Sequence, residues 1–291
     1  MKKPLLPKAL STLGLAAALV CVSAPAAHAQ GYSRVDFAAP IVFQAAGPNA
    51  ASIQSTVDAF RAALGNVNNA NAPGPLTSGR REINWDGGGG VDTTTAPVTP
   101  FDVFLNTRGS RFTTPGMGLS QAPPAGGAQG GLATLFNNPT YGTIFGTFSP
   151  LRLFTPVGSN VTEGFFFVPG TNGATPATVN GFGAVFTDVD RPDGNLSALE
   201  HGIRRASTRI EFFAAPDSKS RSHRESLLFS SFVPAAPGDA SLSFFGVVFD
   251  SALVARVRIT TGNVAPGPDD DRKHDVVMMD DFIYGEPQPA Q

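Results

Sequence analysis

Residues 177–189 read ATVNGFGAVFTDV, and this stretch carries the pattern that decides the fold. Phe182, Ala184 and Phe186 alternate with other residues, which is the period of two expected of a β-strand with one buried face. Similar short apolar stretches, separated by turns, recur through the C-terminal half: TEGFFFVPG, TRIEFFAA, RESLLFSSFVP, ASLSFFGVVFD, ALVARVRITTG and DVVMMDDFIYGE. The sequence therefore predicts a mainly β fold, an antiparallel β-sandwich of jelly-roll-like type over residues 156–287.

The region before the predicted sandwich, residues 30–155, is less regular. One stretch in it, PNAASIQSTVDAFRAALG, has the spacing of a short amphipathic helix. Its apolar residues fall on one face: Ile53, Val57, Phe60 and Leu64. We expect this helix and a few strands to pack on the sandwich, with some segments adding strands to its sheets. Residues 288–291 would then be a short tail.

The N-terminus has the order of a secretory signal peptide. A basic start, MKKPLLPKAL, precedes the apolar run STLGLAAALVCV and the small residues Ala27 and Ala29. The pattern predicts a Sec-type signal peptide over residues 1–29, cleaved after Ala29, with a buried N-terminal helix as the alternative. The apolar run is too short and too Ala-rich for a membrane span, so we expect a secreted, periplasmic or cell-surface protein.

The mature chain would have 262 residues and a negative net charge. Cleavage removes the one cysteine and three lysines, which leaves 18 basic against 23 acidic side chains and a net charge of −5. Without cysteine the mature chain has no disulfide, no catalytic thiol and no cysteine-bound zinc. The acidic balance argues against nucleic acid as a partner, and no later stretch is long and apolar enough to span a membrane.

Several stretches resemble a group of exported bacterial proteins. GFGAVFTDVD, SFFGVVFD, ARVRIT and DDFIYGEP are similar to segments of jelly-roll or lectin-like sandwiches, in which a D-D/N-F-x-Y-G strand often closes the domain. Many such proteins carry a PEP-CTERM sorting tail after that strand, whereas the stretch GEPQPAQ found here lacks the tail's hydrophobic anchor and basic cluster. The resemblance covers roughly residues 156–287 and implies an extracellular module without implying a particular activity.

Residues 187–195, TDVDRPDGN, concentrate oxygen ligands of the kind that calcium prefers. One interpretation is a calcium-binding loop with four ligands: Asp188, Asp190, Asp193 and Asn195. The spacing differs from an EF-hand by one inserted residue, and no amphipathic helix precedes it. The alternative is a type I turn with Pro192 at its second position, in which Asp188 only marks the end of a strand.

The last strand candidate contains two adjacent carboxylates, Asp280 and Asp281, as a second candidate metal site. Strict alternation would place them on opposite faces, so one of them is expected among apolar neighbours. A buried carboxylate needs a partner or a proton. The partner is either calcium, a guanidinium such as Arg256 or Arg258, or a set of backbone N–H groups. A third acidic group, PDDDRKHD at 268–275, is interpreted as a solvated hairpin loop.

For sugar binding, an exposed aromatic side chain is the feature to find. Trp85, with Asp86 beside it in INWDG, is the best candidate for a ligand-binding platform, and a core Trp packed under the following Gly-rich turn is the alternative. The sequence contains no G-x-S-x-G, H-E-x-x-H or Walker motif, so no catalytic residue is assigned.

Three classes of function remain open. The favoured class is a secreted, non-catalytic binding or adhesion module, stabilised by calcium, with an extracellular carbohydrate or cell-envelope component as its ligand. The second is a glycan-active enzyme on a lectin-like sandwich, which needs two carboxylates roughly 5 to 10 Å apart. Glu163, Glu211 and Glu225 cannot be placed together from the sequence alone. The third is a structural envelope or matrix component.

Overall fold

The structure is a computed structural model that describes residues 39–87, 96–190, 208–216, 225–251, 253–271 and 274–290. The predicted signal peptide, residues 1–29, lies outside the described residues. Within them the chain is mainly β, as the sequence predicts, and each pair of named strands is antiparallel.

Four helices occur in the described ranges: α1 (Ala50–Leu64), α2 (Leu105–Arg108), α3 (Gly131–Leu135) and α4 (Tyr141–Ile144). The side chain of Asn49 caps α1 by accepting the Ser52 N–H at 3.2 Å, and α1 ends before Gly65. The four apolar residues predicted to share a face of this helix are all buried. None of the described helices is both long enough and apolar enough to cross a membrane.

Fourteen strands are found in the described part of the chain: β1 (Ile41–Gly47), β2 (Arg80–Ile83), β3 (Ser110–Thr113), β4 (Gly118–Ala122), β5 (Leu153–Val157), β6 (Val161–Phe166), β7 (Ala177–Thr178), β8 (Gly181–Thr187), β9 (Arg209–Ala214), β10 (Leu227–Phe232), β11 (Leu242–Val248), β12 (Val254–Thr260), β13 (Met278–Gly285) and β14 (Gln288–Pro289).

Two main sheets contain most of these strands. Counting only described residues, sheet A has seven strands in the order β1-β11-β8-β13-β5-β4, with β2 paired to the C-terminal half of β13. Sheet B, counted in the same way, has five strands in the order β10-β9-β12-β6-β3. The short strands β7 and β14 pair with each other.

One buried apolar cluster draws on both sheets. It includes Phe182 and Phe186 from sheet A together with Phe212 and Ile259 from sheet B. Phe182, Ala184 and Phe186, the face predicted from the alternation in residues 177–189, are fully buried in it.

Helix α1 covers the other face of sheet A, where two glycines make room for it. Gly183 on β8 and Gly246 on β11 are cross-strand partners, and a Cβ atom at either would lie 2.8 Å from the Phe60 ring. Phe60 packs edge-on against Phe244 with ring centroids 5.3 Å apart. Strands β8 and β11 are therefore buried on both faces, which explains their nearly continuous apolar sequence.

The sheets do not separate at the domain boundary expected near residue 156. Strand β5 runs through that position, and β1, β2 and β4 from the earlier region belong to the same sheet as β8, β11 and β13. Strand β3 likewise belongs to sheet B. The expectation that early segments add strands to the sheets is met, and residues 30–155 contribute to both.

Candidate functional site

Strand β8 ends immediately before Asp188, the first residue of the predicted calcium loop. Asp188 has φ +67°, in the left-handed region that aspartate tolerates better than most residues. Its N–H donates to the Ser241 carbonyl at 3.1 Å, which continues the pairing of β8 with β11 by one step. Asp188 is only 4% exposed, and among the described residues its carboxyl group has no hydrogen bond or ion pair.

Four further aspartates act electrostatically on Asp188. Asp190 follows it on the same loop, Asp239 lies shortly before β11, and Asp270 and Asp275 lie between β12 and β13. Burial is the largest cause of its altered ionisation and repulsion from these carboxylates adds to it, so the pKa of Asp188 is raised to about 8. Several negatively charged side chains therefore act on the Asp188 carboxyl group, which is already shielded from solvent.

Hydrogen bonds hold the surrounding loops in place. The Asp190 carboxylate accepts the Gly238 N–H at 3.3 Å, and the Val189 carbonyl accepts the Ala236 N–H at 2.9 Å. These contacts join the loop after β8 to the loop before β11. The arrangement keeps Asp188 on a fixed backbone rather than on a free loop tip.

The sequence predicts a solvated loop at 268–275, and the structure confirms this for Pro268, Asp269 and Asp271, which are exposed, but not for the end of the segment. Asp275 is buried, and Asp270 accepts the Val276 N–H at 3.4 Å while burial raises its pKa to about 6. The three consecutive aspartates at 269–271 were the sequence feature that could have identified this segment as part of the acidic cluster. Their proximity to Asp188 depends on the strand order, which the local sequence does not encode.

Asp193 and Asn195, and the turn around Pro192, lie outside the described residues. Among the side chains that are described, no three carboxylates, imidazoles or thiols converge closely enough to hold a metal ion. The Asp188 group is therefore an acidic cluster around one buried carboxyl, in which calcium would also need backbone or water oxygens.

The second candidate pair, Asp280 and Asp281, lies at an irregularity in β13. The pairing of β13 with β8 shifts register between Met279 and Phe282. Ser149 Oγ lies 2.5 Å from an oxygen of Asp281 and 3.4 Å from an oxygen of Asp280, so both carboxyls face this serine. The prediction that they point to opposite faces is wrong, because a bulge interrupts the alternation.

Hydrogen-bond donors and one arginine of the protein pair with the carboxyl groups of Asp280 and Asp281. Asp280 accepts the N–H groups of Phe148, Ser149 and Asp281 at 2.6, 3.3 and 2.9 Å. Asp281 lies 3.6 Å from the Arg61 guanidinium of α1. Burial and the adjacent carboxylate raise the pKa of Asp280 well above its usual value, and burial also raises the pKa of Asp281. Two of the expected partner types are thus present, with Arg61 as the guanidinium.

We expect Asp280→Ala to lower the free energy of unfolding by about 1 to 3 kcal/mol, because it leaves buried N–H groups without an acceptor. The measurement is urea unfolding at neutral pH. Asp102→Ala is the matched control, since its carboxylate pairs with Arg111 at a more exposed position and is expected to cost less than about 1 kcal/mol. Equal effects of the two substitutions would show that Asp280 does not anchor the segment at 148–149.

Trp85 does not have the exposed position expected of a sugar platform. It is fully buried, with its ring stacked on Phe154 at a centroid distance of 3.7 Å. Its indole N–H donates to the Asp280 carbonyl at 3.0 Å. The platform interpretation is wrong, and the alternative of a core Trp is the one present. Asp86 instead accepts the backbone N–H groups of Leu151 and Arg152 at 2.5 and 3.0 Å.

The glutamates considered for glycan cleavage lie among arginines on sheet B. Arg256 bonds both Glu163 and Glu225, and Arg258 lies 2.6 Å from a Glu163 oxygen. Glu211 on β9 pairs with Arg209 at 2.5 Å. The sequence offers Arg256 and Arg258 as possible partners of Asp280 and Asp281, but in the structure these two arginines form ion pairs with glutamates instead.

Comparisons of this chain with protein-family models, with curated proteins and with solved structures returned no match.

Proposed function

We propose that this protein is an exported, non-catalytic binding module whose folded state is stabilised by calcium at the Asp188 cluster. The observation that carries the proposal is the buried Asp188 carboxyl group, which has no hydrogen bond or ion pair among the described residues and whose pKa is raised by burial and by four other aspartates. An unpaired buried charge is costly, and a divalent cation removes that cost. Calcium fits best because the available groups are hard oxygen ligands.

We further infer that the two sheets pack face to face as a jelly-roll-like sandwich. The chain passes repeatedly between the sheets: β5 lies in A, β6 in B, β8 in A, β9 and β10 in B, β11 in A, β12 in B and β13 in A. The apolar cluster shared by both sheets supports the same arrangement. In this architecture the loops at either end of the sandwich are the places for ligands.

Export is part of the proposal and rests on the sequence. The N-terminal pattern of residues 1–29 is that of a Sec-type signal peptide. Extracellular calcium sites commonly have dissociation constants near millimolar, which suits a site assembled from a few carboxylates. The proposed partners are accordingly an extracellular carbohydrate or an envelope component.

The test is thermal unfolding of the mature protein at pH 8 with excess calcium or with chelator. Calcium at about one hundred times its dissociation constant stabilises a folded state by about 2.7 kcal/mol, which corresponds to roughly 5 to 10 °C for a domain of this size. We expect Asp188→Asn to abolish this shift and Asp102→Asn to retain it. A wild-type melting temperature that does not respond to calcium would remove the calcium part of the proposal.

The pH dependence gives an independent readout of Asp188. Its folded-state pKa of about 8 lies above the usual value of 3.8, so the stability it confers is present below about pH 4 and is lost as the pH rises through 8. In chelator, wild-type stability should therefore fall between these pH values, and Asp188→Asn should fall less. Calcium must displace a proton from Asp188 at pH 7, so calorimetric heats should depend on the ionisation enthalpy of the buffer.

A further inference from the structure

Each of the two main sheets has one covered edge and one open edge. Strands β4 and β3 form the covered edges, because a bridge joins Val98 to Leu119 of β4 and another joins Phe101 to Phe112 of β3. Strands β1 and β10 form the other edges, and within the described ranges neither of them pairs with a second strand. Their outer backbone N–H and C=O groups are therefore available to another strand.

Contacts between the sheets place the two open edges on the same side of the molecule. Strand β4 contacts β3, and β5 contacts β6, where the covered edges lie. Towards the other side, the ring of Phe249, which follows β11, packs on Phe212 of β9 with centroids 6.0 Å apart. Strands β11 and β9 are the neighbours of β1 and β10 in their sheets, so β1 and β10 lie together.

Both open strands lack the charges and prolines that usually protect a sheet edge. Strand β1 reads IVFQAAG and β10 reads LLFSSF. Strand β10 is bulged near its start but pairs regularly with β9 over 229–232. Apolar side chains lie in solvent on both strands: Ile41, Val42, Leu227 and Phe232 are exposed. This side of the molecule therefore presents apolar side chains next to unpaired backbone groups.

We propose that this open side is the interface of a homodimer, in which β1 pairs antiparallel with β1 of a second copy. Twofold dimers are the commonest oligomers, and each surface in them meets its own copy. A twofold axis normal to the sheets extends sheet A through β1 and brings the β10 strands of the two copies side by side. A second copy is thus the partner that matches both edges at once, and self-pairing of these uncharged strands brings no like charges together.

The residue pattern of β1 is complementary to itself. Its central residue is Gln44, so pairing over the full strand places Gln44 of one copy opposite Gln44 of the other. Ile41 then lies opposite Gly47, and Val42 opposite Ala46, so each exposed β-branched side chain meets a small residue. The two central carboxamides both donate and accept, which allows them to bond each other.

The size of the edge predicts a weak dimer. Seven residues of strand span about 23 Å, and two sheets about 10 Å apart, with the side chains on their outer faces, make an edge about 20 Å deep. Two such edges bury about 900 Å² in total, against about 1,600 Å² for a standard interface. We therefore expect a dissociation constant on the order of 10 μM.

The experiment is sedimentation velocity of the mature protein from about 1 to 500 μM, a range that brackets this dissociation constant. We expect the wild type to pass from monomer to dimer over it. Gln44→Lys sets two ammonium groups against each other and should weaken the dimer at least about tenfold. Met117→Lys is the matched control, because it adds the same charge at an exposed site between β3 and β4, beside the covered edges, and should dimerise as the wild type does.

A charge exchange tests the register and shows that the variants fold. Gln44→Glu alone should also be monomeric, whereas an equimolar mixture of Gln44→Lys and Gln44→Glu should dimerise, because the introduced ammonium group then lies opposite the introduced carboxylate. A wild type that sediments as a monomer over the whole range overturns the proposal and leaves the edge to a different partner. A dimer that Gln44→Lys leaves intact, or a mixture that stays monomeric, overturns it as well.

Discussion

Replacing Arg81 with methionine is expected to lower the free energy of unfolding by about 3 to 5 kcal/mol. The Arg81 side chain is completely buried and lies 2.6 Å from Glu286, which is 2% exposed. Removing one member of a buried ion pair leaves the other charge without compensation, and this dominates the cost. The loss of the hydrogen bonds that Arg81 makes to backbone adds to it.

The position of the pair explains why the effect should reach beyond one contact. Arg81 donates to the carbonyls of Ala70 and Ala72, each at 2.7 Å, and Glu286 accepts the Leu76 N–H at 3.1 Å and the Asn69 amide at 2.8 Å. The two side chains thus fasten the segment between α1 and β2 to the residue that follows β13. That segment has little regular structure of its own, so these bonds define its course.

Equilibrium urea unfolding of Arg81→Met measures this effect, and Arg111→Met is the matched control. Arg111 pairs with Asp102 at 2.7 Å, but the two side chains are 33% and 38% exposed, so its loss should cost less than about 1 kcal/mol. Adding Glu286→Gln to Arg81→Met should cost less than the two single changes together, because it removes the stranded charge. Equal losses for Arg81→Met and Arg111→Met would contradict the expectation.

The sequence predicted those parts of the fold that depend on local periodicity. The alternation in β8 identified the face that lies in the apolar cluster shared by both sheets, but it did not predict that α1 buries the other face as well. The spacing in 48–65 identified the buried residues of α1. The register of β13 was not predictable, because the shift between Met279 and Phe282 adds a residue without leaving a signal in the alternation. The contribution of early strands to both sheets also depends on pairing between distant segments.

The candidate sites show the same limit. Asp188 and Asp190 were found because carboxylates are dense in 187–195, whereas Asp239 joins them only because β11 lies beside β8. Trp85 was misplaced in the platform interpretation because proximity to a Gly-rich turn says nothing about which way a ring points.

Replacing Trp85 with alanine is the second change expected to cost about 3 to 5 kcal/mol, here through a cavity in the core. The ring contacts the aromatic side chains of both sheets: it is stacked on Phe154, and it meets Phe112 and Phe282 edge-on at centroid distances of 5.6 and 4.9 Å. Alanine removes all of these contacts. It also leaves a residue with a Cβ in a left-handed backbone, φ +62°, without the packing that holds it there.

A graded series separates packing from the hydrogen bond of the indole. Trp85→Phe keeps most of the aromatic contact but loses the N–H that donates to the Asp280 carbonyl at 3.0 Å, so its cost should be about half that of Trp85→Ala. Phe232→Ala is the control for loss of an aromatic ring near the surface, since Phe232 is 36% exposed and should cost less than about 1 kcal/mol.

Trp85 is the one tryptophan of the chain, so wild-type unfolding can be followed by its fluorescence and the variants by circular dichroism. If the indole lies in the shared core, the fluorescence and circular dichroism transitions of the wild type should coincide, because both report the same cooperative event. A solvent-exposed emission spectrum from the folded protein, or a Trp85→Ala midpoint equal to that of Phe232→Ala, would contradict this position. The ring links β2 to strands of both sheets, so its removal tests the packing between the sheets directly.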